Sequence, residues 1–311
     1  MPRAIVTGAT GFVGSHLAET LAARGWGVVL PVRSRARLRG LDPGAFEILE
    51  VDFSRRLDLP ECDVVFHVAG VIRGSDWADY LAGNRDLAVR VHDASRARRF
   101  VHVSTLAVQG PMAECDETTP CRPISLYGRS KWEGEQAVWA RRGRLPVTVV
   151  RPPVVYGPRD FGLIDLYRAV ARGIRPVIGG PKRLSLVHVA DLVDGLIRAA
   201  ESPKGADEIF YLANPGPWWM ADLLRVIERG LGTTALALPV PDRVVRWLGA
   251  WVEDGAKLLG RRTMFGRDKA MEMTQPHWCC SPAKAERVLG WRATVPVEEG
   301  MARTLAWYRR E

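Results

Sequence analysis

The chain has 311 residues, 47% hydrophobic and 25% charged, and a formal net charge of +9 at neutral pH. That length can bury one large core, or a nucleotide domain with a smaller lobe, and no apolar run approaches the ~20 residues of a membrane span. The 44 Lys and Arg are scattered, with no basic stretch alternating with aromatics, so a solvated arginine-rich surface is expected rather than a nucleic-acid partner.

The first strand, Arg3–Val6, begins almost at Met1 and leaves no room for a signal peptide, so residence in the cytoplasm is expected. It runs into Thr7-Gly8-Ala9-Thr10-Gly11-Phe12-Val13-Gly14 and then a helix over Phe12–Arg24. Glycines at these positions let the turn take positive φ and let the backbone approach a phosphate, while the helix start offers free N–H groups. The pattern is one residue longer than Gly-x-Gly-x-x-Gly, but its place between strand and helix favours a dinucleotide loop over helix-packing glycines.

The second strand, Gly27–Val32, ends in Arg33-Ser34-Arg35-Ala36-Arg37. An NAD site usually has a carboxylate here for the ribose hydroxyls; arginines instead suit a 2′-phosphate. Arg33 and Arg37 therefore point to NADP(H), with NAD(H) as the alternative. The third strand, Phe46–Val51, is closed by Asp52-Phe53, a carboxylate for the adenine amine and a ring to pack nearby. The fourth, Val64–Ala69, ends in His67-Val68-Ala69-Gly70, whose small residues let a cofactor lie against the strand ends. Asn84 falls on the next helix, Tyr80–Ala97, and the strand Phe100–Ser104 brings the Ser104 and Thr105 hydroxyls to its carboxyl end.

Tyr127 and Lys131 are four apart on a helix over Ser125–Arg142, so they share a face. An ammonium beside the phenol lowers its pKa, and the tyrosine can then exchange a proton with a carbinol–carbonyl pair while hydride moves to or from a nicotinamide. With the strand Val147–Arg151, the Val/Ile-rich runs predict a parallel sheet buried on both faces, an α/β doubly wound Rossmann fold.

After Pro152-Pro153, prolines and glycines break the chain into short pieces. Leu184–Val189 and Glu208–Leu212 are expected to return to the main sheet. The nucleotide domain is then 1–155 completed by 184–198 and 205–213, with 156–183 and 214–311 forming a substrate lobe. His188 and Asp191 are expected to fix a strand-to-helix junction. A helix over Pro241–Arg262 sets Val244, Val245, Leu248, Trp251, Val252 and Leu259 on one side, flanked by Arg243, Arg246, Lys257, Arg261 and Arg262. It packs on the lobe, or serves as a lid or a peripheral membrane contact that collects a lipophilic substrate. The five cysteines have no zinc-ligand spacing, so no metal is expected, and Cys279-Cys280 reads as plain thiols rather than a vicinal disulfide.

Along nearly its whole length the chain resembles the extended short-chain dehydrogenase/reductases, the NAD(P)-dependent epimerase/dehydratase family. The matching stretches are Thr7–Gly14, Asp52-Phe53, His67–Gly70, Asn84, Val103–Gly110, Tyr127–Lys131, Arg151–Pro158 and Val187–Asp191. The resemblance implies Tyr127 as general acid/base, Lys131 as its partner and ribose anchor, and Thr105 in the place of the catalytic Ser/Thr. It further implies Ser104, Pro152 and Val155 as cofactor contacts and Arg33 as the 2′-phosphate holder. Val71, Thr105, Ala107, Val154 and Leu184 would face the substrate. The stretch 241–262 with Asp268-Lys269 and Trp278 is similar to the 3β-hydroxysteroid dehydrogenase-like branch. Val154 and Leu184 replace the polar Asn and Arg usual in nucleotide-sugar epimerases, and Leu106-Ala107 replaces the Asp-Glu of sugar dehydratases. The expectation is an NADP(H)-preferring oxidoreductase interconverting a secondary alcohol and a ketone on a largely apolar substrate such as a sterol, terpenoid or polyketide-like ring. The alternatives are an epimerase that retains its cofactor and a non-catalytic dinucleotide-sensing protein. The resemblance also admits a homodimer.

Overall fold

The structure, a computed structural model, describes residues 1–38, 40–260, 263 and 265–310. Strands β1 (Arg3–Thr7), β2 (Gly27–Val32), β3 (Glu47–Glu50), β4 (Val64–His67), β5 (Arg99–Val103) and β6 (Val147–Arg151) are followed by four more. These are β7 (Val154–Tyr156), β8 (Ile174–Ile178), β9 (Arg183–Leu184) and β10 (Leu186–His188); β11 (Glu208–Tyr211) comes next. Seven of these strands make one parallel sheet, ordered β11–β6–β5–β4–β1–β2–β3. The order reverses between β1 and β4, and it is outside the carboxyl ends of the strands at such a switch point that open α/β sheets bind their ligands.

Alternation along β1 decides which core each side chain enters. Ala4 and Val6 join Leu17 and Leu21 of α1 (Phe12–Ala23) and the buried side chains of residues 192–197 on one face. Ile5 turns to the other face, with Val29, Val65 and Phe100. There it meets the helical layer that follows α2 (Trp77–Leu81): α3 (Leu87–Ala94) through Val91, and α4 (Leu126–Trp139) through Val138. Each fully buried aliphatic side chain contributes roughly 1.5–3 kcal/mol.

The helix expected over Tyr80–Ala97 is broken. A π-turn at Ala82–Asp86 separates α2 from α3 and carries Asn84 into the interior. Glu208–Tyr211 pairs with β6 as expected, but Leu184–Val189 does not return to the main sheet. Leu186–His188 pairs instead with β7. Arg183–Leu184 sits between β12 (Trp218–Trp219) and a later strand, His277–Trp278. An apolar run specifies a buried strand without specifying its partner.

The lobe is built from α5 (Ile164–Ala171), α7 (Met220–Leu231) and α11 (Val297–Tyr308), packed around Tyr156, Leu186, Leu223, Ile227 and Leu305. Between them in sequence lie α6 (Val189–Glu201), on the main sheet, and α8 (Asp242–Leu258), α9 (Arg267–Met273) and α10 (Ala283–Leu289). The helix expected to reach Arg262 thus ends at Leu258, and Arg261 and Arg262 lie outside the described residues. His188 caps α6, accepting from Ala190 N at 3.3 Å. Asp191 reaches beyond that junction: Oδ1 accepts from Thr294 N and Oγ1, both at 3.0 Å, and Oδ2 from Val295 N at 3.0 Å. The segment after α10 is therefore pinned to the nucleotide domain, with Ala285 and Trp291 inside that domain's own core.

Candidate active site

The glycine loop follows from steric necessity. Gly8 has φ +79°, and a Cβ there would stand 2.7 Å from Ala69 N. A Cβ at Gly14 would stand 2.2 Å from Gly8 O, so α1 could not seat against β1 with any other residue. Gly11 begins α1 with no side-chain cap, and the first turn holds no acidic residue, so its amides stand uncompensated. Thr10 and Gly11 are exposed at the loop's crest, and Phe12 and Val13 are half-buried behind it. This cradle fits a pyrophosphate.

At the end of β2, Arg33 and Arg37 are exposed, while the backbone of Arg35 is fixed by Glu50 Oε1 at 2.6 Å. Neither Arg33 nor Arg37 meets a carboxylate among the described residues. Asp52 is already engaged: Oδ1 accepts from Ser54 N (2.9 Å) and Oγ (2.6 Å), and these bonds hold its carboxyl below the usual range. Phe53 leans against the core beside it.

After β4, Val68 and Ala69 are half-buried and Gly70 is open. Asn84 is fully committed: Oδ1 accepts from Val71 N (2.7 Å), and Nδ2 donates to Val71 O (2.9 Å) and Ser130 Oγ (2.8 Å). Its place in this structure is to clamp the 70–71 loop to α4. A Cβ at Gly70 would come within 3.7 Å of Lys131 Nζ, so that loop lies directly over the lysine.

Tyr127, Lys131 and Thr105 come together at the carboxyl ends of β4 and β5. Lys131 is buried and its Nζ donates to Val103 O at 2.6 Å. Burial lowers its pKa to about 8, against the raising effect of Glu135. Tyr127 is pushed up to about 12, first by burial and then by the Glu272 charge, and hydrogen bonding to Thr105 opposes this. The expectation that Lys131 depresses the phenol is therefore corrected: its ammonium is turned onto a backbone carbonyl. Behind the lysine, His67 and His102 stack at 5.6 Å. Burial and the Lys131 charge keep both neutral, His67 at about 3 and His102 well below its ordinary value.

Ser104 Oγ is buried at the strand end without a partner among the described residues, which fits a carboxamide contact when nicotinamide is bound. Leu106 N donates to Pro152 O (2.8 Å), joining the Thr105 loop to the segment that carries Pro152, Val154 and half-buried Val155. Val154 is exposed and Ala107 and Val71 are half-buried, whereas Leu184 is buried in the lobe core rather than open to a ligand.

Sequence reasoning missed how α9 caps α4, the helix that carries Tyr127 and Lys131. Asp268 Oδ2 accepts from Leu126 N (2.7 Å) and Tyr127 N (3.3 Å). Ser125, the N-cap, accepts from Gly128 N (3.0 Å) and donates to Glu272 Oε1 (2.6 Å). The only signal in the sequence is the i, i+4 spacing of two acids about 140 residues downstream.

A sequence model of the NAD dependent epimerase/dehydratase family matches residues 4–213. A ceramide reductase of Caulobacter vibrioides is 30% identical over 98% of this chain and 93% of that protein. A UDP-glucose 4-epimerase of Vibrio cholerae is 27% identical over 98% of this chain and 95% of that protein. The solved UDP-glucuronic acid 4-epimerase of Bacillus cereus in complex with NAD superposes with a TM-score of 0.79, covering 99% of this chain and 96% of that one at 20% identity, a likeness of fold. Family match, sheet order and the Tyr127–Lys131 pair agree, and the chain belongs to the NAD-dependent epimerase/dehydratase family of Rossmann-fold enzymes.

Proposed function

We propose that this enzyme is an NADPH-preferring reductase that converts a ketone on a largely apolar substrate to a secondary alcohol. The observation that carries the reading is the β2 end: three exposed arginines, of which Arg33 and Arg37 meet no carboxylate among the described residues, and no carboxylate in Arg33–Arg37. A guanidinium pair favours a 2′-phosphate, and a phosphorylated dinucleotide that exchanges each turnover suits net reduction. The likeness to a ceramide reductase supports the apolar substrate class.

Nicotinamide, when bound, supplies the hydride. Tyr127, protonated at neutral pH, donates its proton to the carbonyl oxygen, and Thr105 polarises that oxygen. Lys131, charged in most molecules at pH 7 and held by Val103 O, would anchor the nicotinamide ribose rather than pair with the phenol. Leu106-Ala107 after Thr105 gives no acid or base for dehydration.

The test is a fluorescence titration with NADPH and NADH, wild type beside Arg33→Ala. The expected result is NADPH binding at least about tenfold tighter than NADH, with that margin lost in the variant, as for a charge-assisted phosphate contact. Equal affinities, or NAD(H) copurifying with the protein, would overturn the reading. That result would favour a retained-cofactor epimerase, the reading to which the Vibrio cholerae relative lends support.

A further inference from the structure

The helix α8 is mounted with its apolar side outward. Val244, Trp247, Leu248, Trp251, Val252 and Leu258 are all exposed, Trp247 at 58%, Trp251 at 63% and Leu258 at 89%. At 3.6 residues per turn they fall within an arc of about 140°. Val245 and Gly249, the two buried positions, lie to one side of that arc. A Cβ on Gly249 would stand 2.6 Å from Ala270 Cβ, so this is the edge seated against α9. The polar side chains complete the seating: Glu253 accepts from Arg267 N (2.8 Å), and Arg246 donates to Thr274 (3.1 Å). An ordinary surface helix buries its apolar face and shows its charges to water; α8 does the reverse.

We propose that this outward face is a docking surface for an anionic lipid bilayer, with α8 lying in the headgroup plane. Two features select that occupant. The two tryptophans stand side by side, ring centroids 5.3 Å apart, and amphipathic indole rings are favoured at the headgroup boundary. The charge around the stripe is basic where it is free. Asp242 pairs with Lys182 (3.9 Å), Glu253 with Lys257 (2.6 Å) and Asp254 with Arg267 (2.7 Å), so the helix's carboxylates are neutralised. Arg243, on the flank beyond Trp247, meets no carboxylate among the described residues. Cations flanking an aromatic, aliphatic stripe complement anionic headgroups over acyl chains. The inference does not depend on which substrate the enzyme reduces.

The test is cosedimentation with vesicles of phosphatidylglycerol and phosphatidylcholine, wild type beside Trp247→Ser/Trp251→Ser and beside Leu248→Asp, each variant first shown to bind dinucleotide as wild type does. The expected result is partition of the wild type onto the vesicles, weakened about tenfold or more in both variants and reduced by salt, as burial of apolar area and screened attraction require. Wild type that ignores the vesicles, or variants that bind as well as wild type, would overturn the proposal. A wild-type dimer that becomes monomeric in the variants without lipid would also overturn it, assigning the face to a second copy of this chain.

Discussion

Tyr127 and Lys131 sit four residues apart, yet their environments push them in opposite directions. The phenol keeps its proton up to about pH 12, while the ammonium yields its own near pH 8. Replacing Tyr127 by Phe removes the proposed acid while keeping the ring that fills the site. Turnover of a ketone with NADPH should fall about 10²–10⁴-fold while dinucleotide affinity changes little; near-normal turnover would remove Tyr127 from the mechanism. Lys131 makes a second prediction through linkage. Its folded pKa is lowered from 10.5 to about 8, so between those values the unfolded chain binds the extra proton and stability rises with pH. Relative to Lys131→Met, wild type should gain about 2 kcal/mol of unfolding free energy between roughly pH 7.5 and pH 10. Urea denaturation of both proteins at the two pH values checks this, and parallel stabilities would contradict it.

At the scale of elements, α4, which carries Tyr127 and Lys131, is held from outside its own domain. Asp268 and Glu272 on α9 take the first amides of α4 and its N-cap hydroxyl, where a helix end favours negative charge. Asp268→Ala should cost about 1–2 kcal/mol of stability and lower kcat several-fold by freeing the turn that carries Tyr127, with NADPH affinity unchanged. Steady-state kinetics beside a dinucleotide titration would show this, and loss of affinity in step with kcat would mean a general unfolding instead. The strand–glycine loop–helix unit was legible in the sequence because its chemistry is local: Gly8 and Gly14 are fixed by contacts within one turn and one neighbouring strand. The α9 cap was not, since Asp268 meets Leu126 only once the lobe has folded over the sheet. The π-turn at Asn84 escaped because period-3.6 patterning does not reveal one inserted residue. The isolation of Leu186–His188 escaped because hydrophobicity reports burial and not pairing.

Across the whole molecule, the division into nucleotide domain and lobe does not follow the chain. Trp291, in the C-terminal third, is 1% exposed inside the core formed by α1, α6 and the central sheet. Its Nε1 donates to Asp191 O at 3.2 Å, and the Asp191 carboxylate receives Thr294 and Val295. The next residues lead into α11, whose Met301 and Leu305 belong to the lobe core. One short segment thus carries packing energy for both halves, while α9 grips α4 from the lobe side. Two units coupled in this way should unfold together, in one transition. Trp291→Ala empties the nucleotide-domain core of its largest buried side chain and removes the indole donor that supplements the helical bond on the Asp191 carbonyl. The combined cavity and lost hydrogen bond should cost about 3–5 kcal/mol. If the halves are coupled, the variant's denaturation curve shifts as a whole, followed equally by far-ultraviolet circular dichroism and by tryptophan fluorescence, which reports on both halves because six of the variant's ten tryptophans lie in the lobe and four in the nucleotide domain. A variant in which the nucleotide domain melts early while the lobe holds would show that the connection through residues 283–295 carries little energy, and that the two halves are independent bodies after all.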